Sequence, residues 1–232
     1  LWDTAIAPTN RGATPSDEPV PAGPVRTVRT PRVVLACSAP AALRLLDGAG
    51  CTGAGPSIPS IPVGAPIARF MLVARVPDLE GAPVGSGLLV AEAESCPVRA
   101  KALSHLSAKW PWIGAELRAL HGPDVHALRL SYGRPGRPRP EVDLSVALAD
   151  VAVLTGVRIE PGDVVDHMLV RWDGTLPPVT PAHRERTIHL EEQLAPVPGL
   201  EVTGAWVAGT GIAAVVGHAR AAAARLVSSH GG

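Results

Sequence analysis

The sequence predicts an α/β region with a parallel sheet, joined in one chain to an α+β region whose sheet is mixed or antiparallel. Three observations predict this fold class. A buried strand, a turn and a helix follow one another in the first third, short strands separated by turns fill the middle, and strands alternate with helices in the last third. Strand-turn-helix units build parallel sheets, whereas strands with few crossover helices pair antiparallel.

The first third contains one strand-turn-helix unit between two loops. A short strand is predicted at residues 1–6, and a loop rich in Pro, Gly and Ser follows at 13–24. The β-branched apolar run at 32–37 predicts a buried strand, and residues 41–46 predict the helix after it. The second loop, at residues 47–60, is again rich in Gly, Pro and Ser, so we expect the chain to cross between domains there.

The middle third predicts short elements that are bounded by turns. Strands are predicted at residues 67–76, 86–91, 98–106 and 127–132, and a helix at 109–120. A further helix is predicted at 143–154, because its apolar residues recur at close to helical spacing and Asp143 can cap its N-terminus.

The last third returns to alternating strands and helices. It predicts a strand at residues 164–172, a polar helix within 180–194 and a strand at 200–207. A tight turn, Gly209-Thr210-Gly211, then leads into an Ala-rich helix at 213–227.

Composition and charge exclude several classes of protein. The 232 residues include 21 basic and 21 acidic ones, so the net charge is zero and a general binder of nucleic acid or acidic membranes is not expected. No apolar run reaches the roughly 18–20 residues that span a bilayer. Three scattered cysteines form neither a disulfide framework nor a zinc set, which favours a reducing cytoplasm. The histidines lack metal-binding spacing, so no metal is expected.

The turn Gly209-Thr210-Gly211-Ile212 is the strongest local candidate for a ligand site. Glycines allow a backbone to approach a ligand closely, and the start of a helix presents free N–H groups with a partial positive charge. Such an end suits a phosphate or the pyrimidine edge of a flavin. The same pattern also occurs in ordinary α/β packing, so the turn alone leaves both interpretations open.

Five tryptophans stand out in a chain that is only 3% aromatic. Trp172 ends a predicted strand just before Asp173-Gly174, where an aromatic edge could touch a flat cofactor ring. A tryptophan that simply fills core or interface volume is the alternative.

Several segments carry a resemblance when they are taken in chain order. They are Val33-Val34-Leu35-Ala36, Ala39-Pro40-Ala41-Ala42, Gly85-Ser86-Gly87-Leu88-Leu89-Val90, Lys101, Lys109-Trp110-Pro111-Trp112, Leu130-Ser131-Tyr132-Gly133-Arg134, Ala149-Asp150, Thr155-Gly156-Val157, Arg171-Trp172, Leu176-Pro177, His183, Pro198-Gly199-Leu200, Gly204-Ala205 and Gly209-Thr210-Gly211-Ile212. As an ordered set they resemble the C-terminal half of the bacterial FAD-dependent protoporphyrinogen and coproporphyrinogen oxidases, within the flavin amine-oxidase superfamily.

The resemblance implies a division of the chain and a function. Residues 1–57 would be the middle of a partial, Rossmann-like FAD-binding domain, 58–163 a portion of the substrate-binding domain, and 164–232 the C-terminal segment of the FAD-binding domain. The cofactor would be FAD, the substrate protoporphyrinogen IX or coproporphyrinogen III, and the electron acceptor oxygen, in haem biosynthesis. The protein would be cytoplasmic, with contact at a membrane surface allowed.

The resemblance also implies cofactor contacts, although it identifies no catalytic acid or base. Gly209, Thr210, Gly211 and Ile212 would lie at the pyrimidine side of the flavin, Trp172 at the ring edge and Ile6 beside the adenine.

The chain departs from the family at several positions. Pro178 and Val179 stand where the family has Gln-Tyr, Ala213 replaces a proline, and Ala219 replaces a glycine. No predicted strand of this chain leads into the N-terminal G-x-G-x-x-G turn that holds the pyrophosphate of FAD, because the one stretch with that spacing, Gly48 to Gly53, lies in the loop predicted at 47–60. We therefore expect a fragment of a longer enzyme that is colourless, poorly soluble and inactive on its own.

Two alternatives stay open at this point. One is another oxidoreductase of the same superfamily, of the amine oxidase or carotenoid desaturase type. Ala205 stands where those enzymes usually carry an acidic residue, which favours a porphyrinogen oxidase. The other is an inactive C-terminal fragment that lacks the dinucleotide-binding motif.

Overall fold

A computed structural model describes residues 1–10, 20–51, 61, 64–93, 95–134, 136–138, 140–176 and 180–228. These residues fall into two compact units. The first unit draws on Leu1–Gly12, Glu18–Ala65 and Asp173–Gly232, and the second on Pro66–Trp172. The assignment of these units to a flavin-binding and a substrate-binding domain, with boundaries after residues 57 and 163, stays a prediction.

The elements follow one another along the chain as strands and helices in mixed order. The strands are β1 (Trp2–Ile6), β2 (Thr9–Asn10), β3 (Val20–Pro21), β4 (Arg26–Thr30), β5 (Val33–Leu35), β6 (Ala65–Arg75), β7 (Gly87–Leu89), β8 (Ala102–His105), β9 (Val125–Tyr132), β10 (Val164–Leu176) and β11 (Leu200–Val202). The helices are α1 (Ala39–Gly48), α2 (Leu106–Lys109), α3 (Pro111–His121), α4 (Leu144–Thr155), α5 (Pro181–Leu194), α6 (Ala205–Ala208) and α7 (Ile212–Ser228). None of these helices is both long and apolar enough to cross a membrane.

The first unit is organised around two parallel strands. β5 pairs with β11, with Val33 opposite Leu200 and Leu35 opposite Val202. The strand and helix predicted around residues 32–46 are both present, since α1 begins four residues after β5 with a proline in its first turn. The core of this unit comprises Ala39, Ala42, Leu46, Ile61, Leu190, Leu194, Leu200, Val202 and Trp206. Helices therefore cover the buried residues of β11, as is usual for parallel strands, whereas β5 stays partly exposed, with Val34 46% exposed.

The second unit is built on a five-stranded sheet in the order β10-β6-β9-β8-β7. The pairs β6–β9, β9–β8 and β8–β7 are antiparallel, which agrees with the prediction of a mixed or antiparallel sheet. Phe70 lies opposite Leu130 and Leu72 opposite Leu128, and all four side chains are buried in the core on one face of the sheet. α4 supplies Val151 and other apolar residues to the same core. Because side chains alternate along a strand, the residues between them belong to the opposite face.

α4 begins where the sequence predicts. The Oδ1 of Asp143 accepts a hydrogen bond from the backbone N–H of Val146 at 2.9 Å, so Asp143 is the N-cap. Gly156 closes the helix in the left-handed conformation, with φ of +74°.

The prediction of a strand at residues 200–207 is wrong over its second half. β11 ends at Val202, and the next residues form the short helix α6. Gly204 breaks the strand with a φ of +131°. The chain then turns Trp206 into the core, where its indole N–H donates to the carbonyl oxygen of Cys37 at 3.0 Å. The apolar run that resembles a strand is thus partly a buried helical turn.

Candidate functional site

The turn at Gly209–Gly211 connects α6 to α7. Gly209 has a φ of +93° and Gly211 a φ of +125°, a backbone region that favours glycine. A Cβ added at either glycine would meet no described atom within 4 Å. Gly199 differs, because a Cβ there would run into the carbonyl oxygen of Pro31. The two glycines of the turn therefore serve the backbone conformation and leave the space in front of the turn open.

A cleft of about 530 Å³ lies beside this turn. Thr180, His183 and Thr187 border it from the N-cap and first half of α5, and Gly209 and Thr210 from the turn. Its volume lies within the range of about 300–1,000 Å³ that is usual for small-molecule and cofactor pockets. Two of the predicted cofactor contacts, Gly209 and Thr210, thus line a cavity of suitable size.

His183 is the buried polar group of the cleft wall. Its side chain is 8% exposed, and its Nε2 lies 2.8 Å from the carbonyl oxygen of Trp206. A carbonyl oxygen only accepts, so Nε2 carries a hydrogen and donates this bond. That buried Nδ1 has no hydrogen-bond partner among the described residues. His183 was matched to the family from the sequence, but this role in joining α5 to α6 was not predicted.

The N-terminus of α7 opens directly from the turn. The first N–H groups of a helix have no acceptor within it, and they carry a partial positive charge. The first turn of α7 contains no acidic residue that would offset this charge. Ile212, the first residue of α7, is 85% exposed, and Ala213 beside it is also exposed. This helix end can therefore stabilise an anionic or electron-rich group.

The other predicted contact residues lie on two strands. Ile6 is the last residue of β1, in the first unit, and is 48% exposed. Trp172 lies on β10, in the second unit, and is 42% exposed. Pro178 and Val179 lie outside the described residues, whereas Ala219 lies on α7. The role of each of these residues toward a cofactor stays a prediction.

A second polar network in the first unit was not predicted from the sequence. The Oγ1 of Thr203 lies 3.0 Å from Nδ1 of His218, and Nε2 of the same imidazole lies 2.9 Å from Oε1 of Glu191. Thr203 follows β11, His218 lies on α7 and Glu191 on α5. The imidazole therefore ties two helices to the end of the parallel strand pair. The three residues lie far apart in the sequence, so no local pattern indicates this contact.

We expect His218→Ala to lower the free energy of unfolding by about 1–2 kcal/mol, because two side-chain hydrogen bonds are lost. Urea denaturation followed by circular dichroism measures the change. His189→Ala is the matched control, since His189 lies on exposed surface of α5. Its effect should stay within about 0.5 kcal/mol. Equal losses in the two variants would contradict a stabilising role for the network.

Comparison with known proteins finds curated coproporphyrinogen III oxidases that are similar to this chain. No protein-family model matches it. The coproporphyrinogen III oxidases of Mycobacterium bovis and Mycobacterium tuberculosis are each 32% identical to the chain over 203 residues. These matches cover 85% of this chain and 39% of each relative. The chain thus spans about two fifths of the length of the curated relatives it matches.

Solved structures share the fold at lower identity. A protein described as a protoporphyrinogen oxidase from Exiguobacterium sp. 255-15 aligns with a TM-score of 0.60 at 19% identity, over 90% of this chain and 44% of that one. A reduced UDP-galactopyranose mutase aligns with a TM-score of 0.54 at 14% identity, over 79% of this chain and 38% of that one. These two likenesses concern the fold alone. The resemblance found in the sequence is confirmed by the curated relatives, and the chain is similar to the mycobacterial coproporphyrinogen III oxidases over 85% of its own length.

Proposed function

We propose that this chain is part of an FAD-dependent oxidase that converts a porphyrinogen, with coproporphyrinogen III as the first candidate, into the porphyrin. The observation that carries the proposal is the open glycine turn at the head of α7, in a chain 32% identical to coproporphyrinogen III oxidases. When bound, FAD supplies the redox chemistry, taking hydride from the substrate and passing electrons to oxygen.

The residues of the first unit fit the ring end of the flavin. Gly209 and Gly211 leave room for a flat ring system, and the free N–H groups at the start of α7 suit its electron-rich pyrimidine edge. Thr210 adds a hydroxyl at the border of the cleft. We assign Ile6, the last residue of β1 in the same unit, to the adenine. In this proposal the first unit is a partial, Rossmann-like FAD-binding domain.

The pyrophosphate of FAD has no partner motif in this sequence. A G-x-G-x-x-G turn between a strand and a helix normally binds it at the helix N-terminus. The one stretch of this sequence with that spacing, Gly48 to Gly53, begins at the C-terminal end of α1 and does not follow a strand. We therefore expect stable flavin binding only when the remaining part of the enzyme is supplied.

The test compares the chain alone with the chain co-expressed with the N-terminal part of a mycobacterial coproporphyrinogen III oxidase. We expect no flavin to co-elute with the chain alone after incubation with excess FAD and gel filtration. The co-expressed pair should show flavin absorbance near 450 nm and should convert coproporphyrinogen III to its fluorescent porphyrin. A soluble, flavin-free pair without activity would reject the proposal and favour an inactive fragment.

Within that pair we expect Gly211→Val to reduce flavin content at least about tenfold. The new side chain enters the open space before the turn, and valine is strained at a φ of +125°. The absorbance ratio at 450 and 280 nm measures the flavin content.

Gly50→Val is the matched control for the Gly211 variant. Gly50 also has a positive φ, +64°, and open space where a Cβ would lie, but it follows α1 and is not part of the turn that leads into α7. This variant should carry a similar backbone cost and retain its flavin. Equal flavin occupancy in wild type and Gly211→Val would reject the assignment of the turn.

A further inference from the structure

The face of the second unit's sheet that lies opposite the core carries a group of cations. Arg69 on β6 lies opposite Ser131 on β9, and Arg129, two residues before Ser131, lies opposite Ser104 on β8. Since side chains alternate along a strand, Arg69 and Arg129 project from the same face as the two serines. Lys101 precedes β8 and Arg134 follows β9, at the same end of the sheet. We call Arg69, Lys101, Arg129 and Arg134 the basic face.

Neutral oxygens hold most of these cations. Nζ of Lys101 donates to the carbonyl oxygen of Gly133 at 2.6 Å, and Nη2 of Arg129 donates to Oγ of Ser104 at 3.2 Å. Nη2 of Arg134 donates to the carbonyl oxygen of Val90 at 3.0 Å. These contacts fix the side chains in position without neutralising their charge.

Acidic residues compensate the basic face poorly. Oε2 of Glu92 lies 4.0 Å from Nη1 of Arg134, and the same carboxylate pairs more closely with Arg137, at 3.0 Å. Glu92 is 56% exposed, so solvent screens its charge. The basic face therefore keeps an excess of positive charge, although the whole chain is neutral.

Two donors of the basic face lack a partner. Nη1 of Arg69 and Nε of Arg129 are buried and make no hydrogen bond to any described residue. Burial lowers the pKa of Arg69, and the charge of Arg129 lowers it further. Burial likewise lowers the pKa of Lys101, with further contributions from Arg69 and Arg134. Repulsion between these like charges lowers stability. A bound anion would offset this repulsion, so the cluster favours an anionic ligand.

A shallow groove of about 710 Å³ runs over the basic face. Among the described residues, those that line the groove include no acidic side chain. Leu89 on β7 forms an apolar margin beside the cations and is 86% exposed. The groove thus presents apolar surface next to several fixed positive charges. A ligand with an apolar body and carboxylates at its periphery matches both features.

We propose that the basic face binds a polycarboxylate, and that Arg69 and Arg129 are specificity-determining residues that recognise its carboxylates. This identification rests on the proposed function: the carboxylates are the propionate side chains of a porphyrinogen. A ligand with four propionates then binds more tightly than one with two, so the basic face selects coproporphyrinogen over protoporphyrinogen.

The test measures binding of stable, fluorescent porphyrins to the 232-residue chain. Coproporphyrin III carries four propionates, protoporphyrin IX carries two, and the tetramethyl ester of coproporphyrin III carries no charge. We expect affinity to fall in that order, with at least a tenfold difference between coproporphyrin III and its ester. We also expect affinity for coproporphyrin III to fall as salt increases. Equal affinity for acid and ester would overturn the proposal.

Variants then locate the binding. The double variant Arg69→Gln with Arg129→Gln should raise the Kd for coproporphyrin III at least tenfold and reduce its salt dependence. The double variant Arg69→Lys with Arg129→Lys keeps the charge, and its Kd for coproporphyrin III should stay within about threefold of the wild-type value. It therefore distinguishes a loss of charge recognition from misfolding. Arg158→Gln is the matched control, because Arg158 is 81% exposed and pairs with Glu160. An unchanged Kd in the glutamine variant would overturn the proposal.

This test is independent of the flavin and of turnover. If coproporphyrin III binds through the basic face but the co-expressed pair oxidises no porphyrinogen, the proposed function fails and the polycarboxylate site stands. If the pair is active and the glutamine variant binds normally, the site fails and the proposed function stands.

Discussion

Replacing Asp150 with alanine should lower the free energy of unfolding of the second unit by about 3 kcal/mol, because two backbone N–H groups, one of them buried, lose their acceptor. Asp150 lies on α4 and is 4% exposed. Its Oδ1 accepts from the backbone N–H of Arg99 at 3.1 Å, and its Oδ2 accepts from that of Ala100 at 2.9 Å. The carboxylate thereby joins α4 to the segment that leads into β8. Urea denaturation followed by circular dichroism measures the loss.

Two further variants separate hydrogen bonding from other effects of the Asp150 substitution. Asp150→Asn keeps one acceptor oxygen but places an NH₂ group against the second N–H, so we expect a loss of similar sign and smaller size. Asp78→Ala removes an exposed carboxylate of the same unit and should change stability by no more than about 0.5 kcal/mol. A loss for Asp150→Ala no larger than that of Asp78→Ala would contradict the bridging role.

Local patterns predict local structure well in this chain. The Asp143 cap, the strand and helix that follow residue 32 and the polar helix α5 each depend on neighbours in the sequence, and each is present. The strand predicted at residues 200–207 fails for a physical reason. An apolar run that contains Gly204 and Trp206 is equally compatible with a strand and with a buried helical turn, and tertiary packing decides between them.

Local sequence patterns do not predict which distant residues strand pairing brings together. Arg69 and Arg129 are 60 residues apart, and only the pairing of β6 with β9 brings them to one face. The net charge of zero likewise conceals a local excess of positive charge. The open space at Gly209 and Gly211 is also a property of the folded chain, because the sequence motif alone does not separate it from the crowded surroundings of Gly199.

Two buried histidines of the second unit make its stability depend on pH. His105 on β8 is 1% exposed and His126 on β9 is 6% exposed, and Nε2 of His105 lies 3.1 Å from Nδ1 of His126. Burial lowers the pKa of His105 to about 4, with a further decrease from His126 and an opposing contribution from Glu80. Burial also lowers the pKa of His126, against the raising effect of Glu80 and Asp124 and with Arg118 acting in the lowering direction. The folded unit therefore holds both rings neutral at pH 7.

We expect the free energy of unfolding to decrease as the pH falls from about 6.5 to about 4, since the unfolded histidine takes up a proton before the folded one does. The decrease in the pKa of His105 from 6.5 to about 4 on folding corresponds to a loss of about 3 kcal/mol in the free energy of unfolding once the pH reaches about 4. Urea denaturation at pH 7.5, 6.0 and 4.5 measures the change. His105→Gln removes the titrating group and should flatten the pH dependence relative to wild type. His121→Gln alters an exposed histidine of α3 and should keep the dependence of wild type. If wild type and His105→Gln lose stability in parallel between pH 6.5 and 4.5, His105 is not the group responsible.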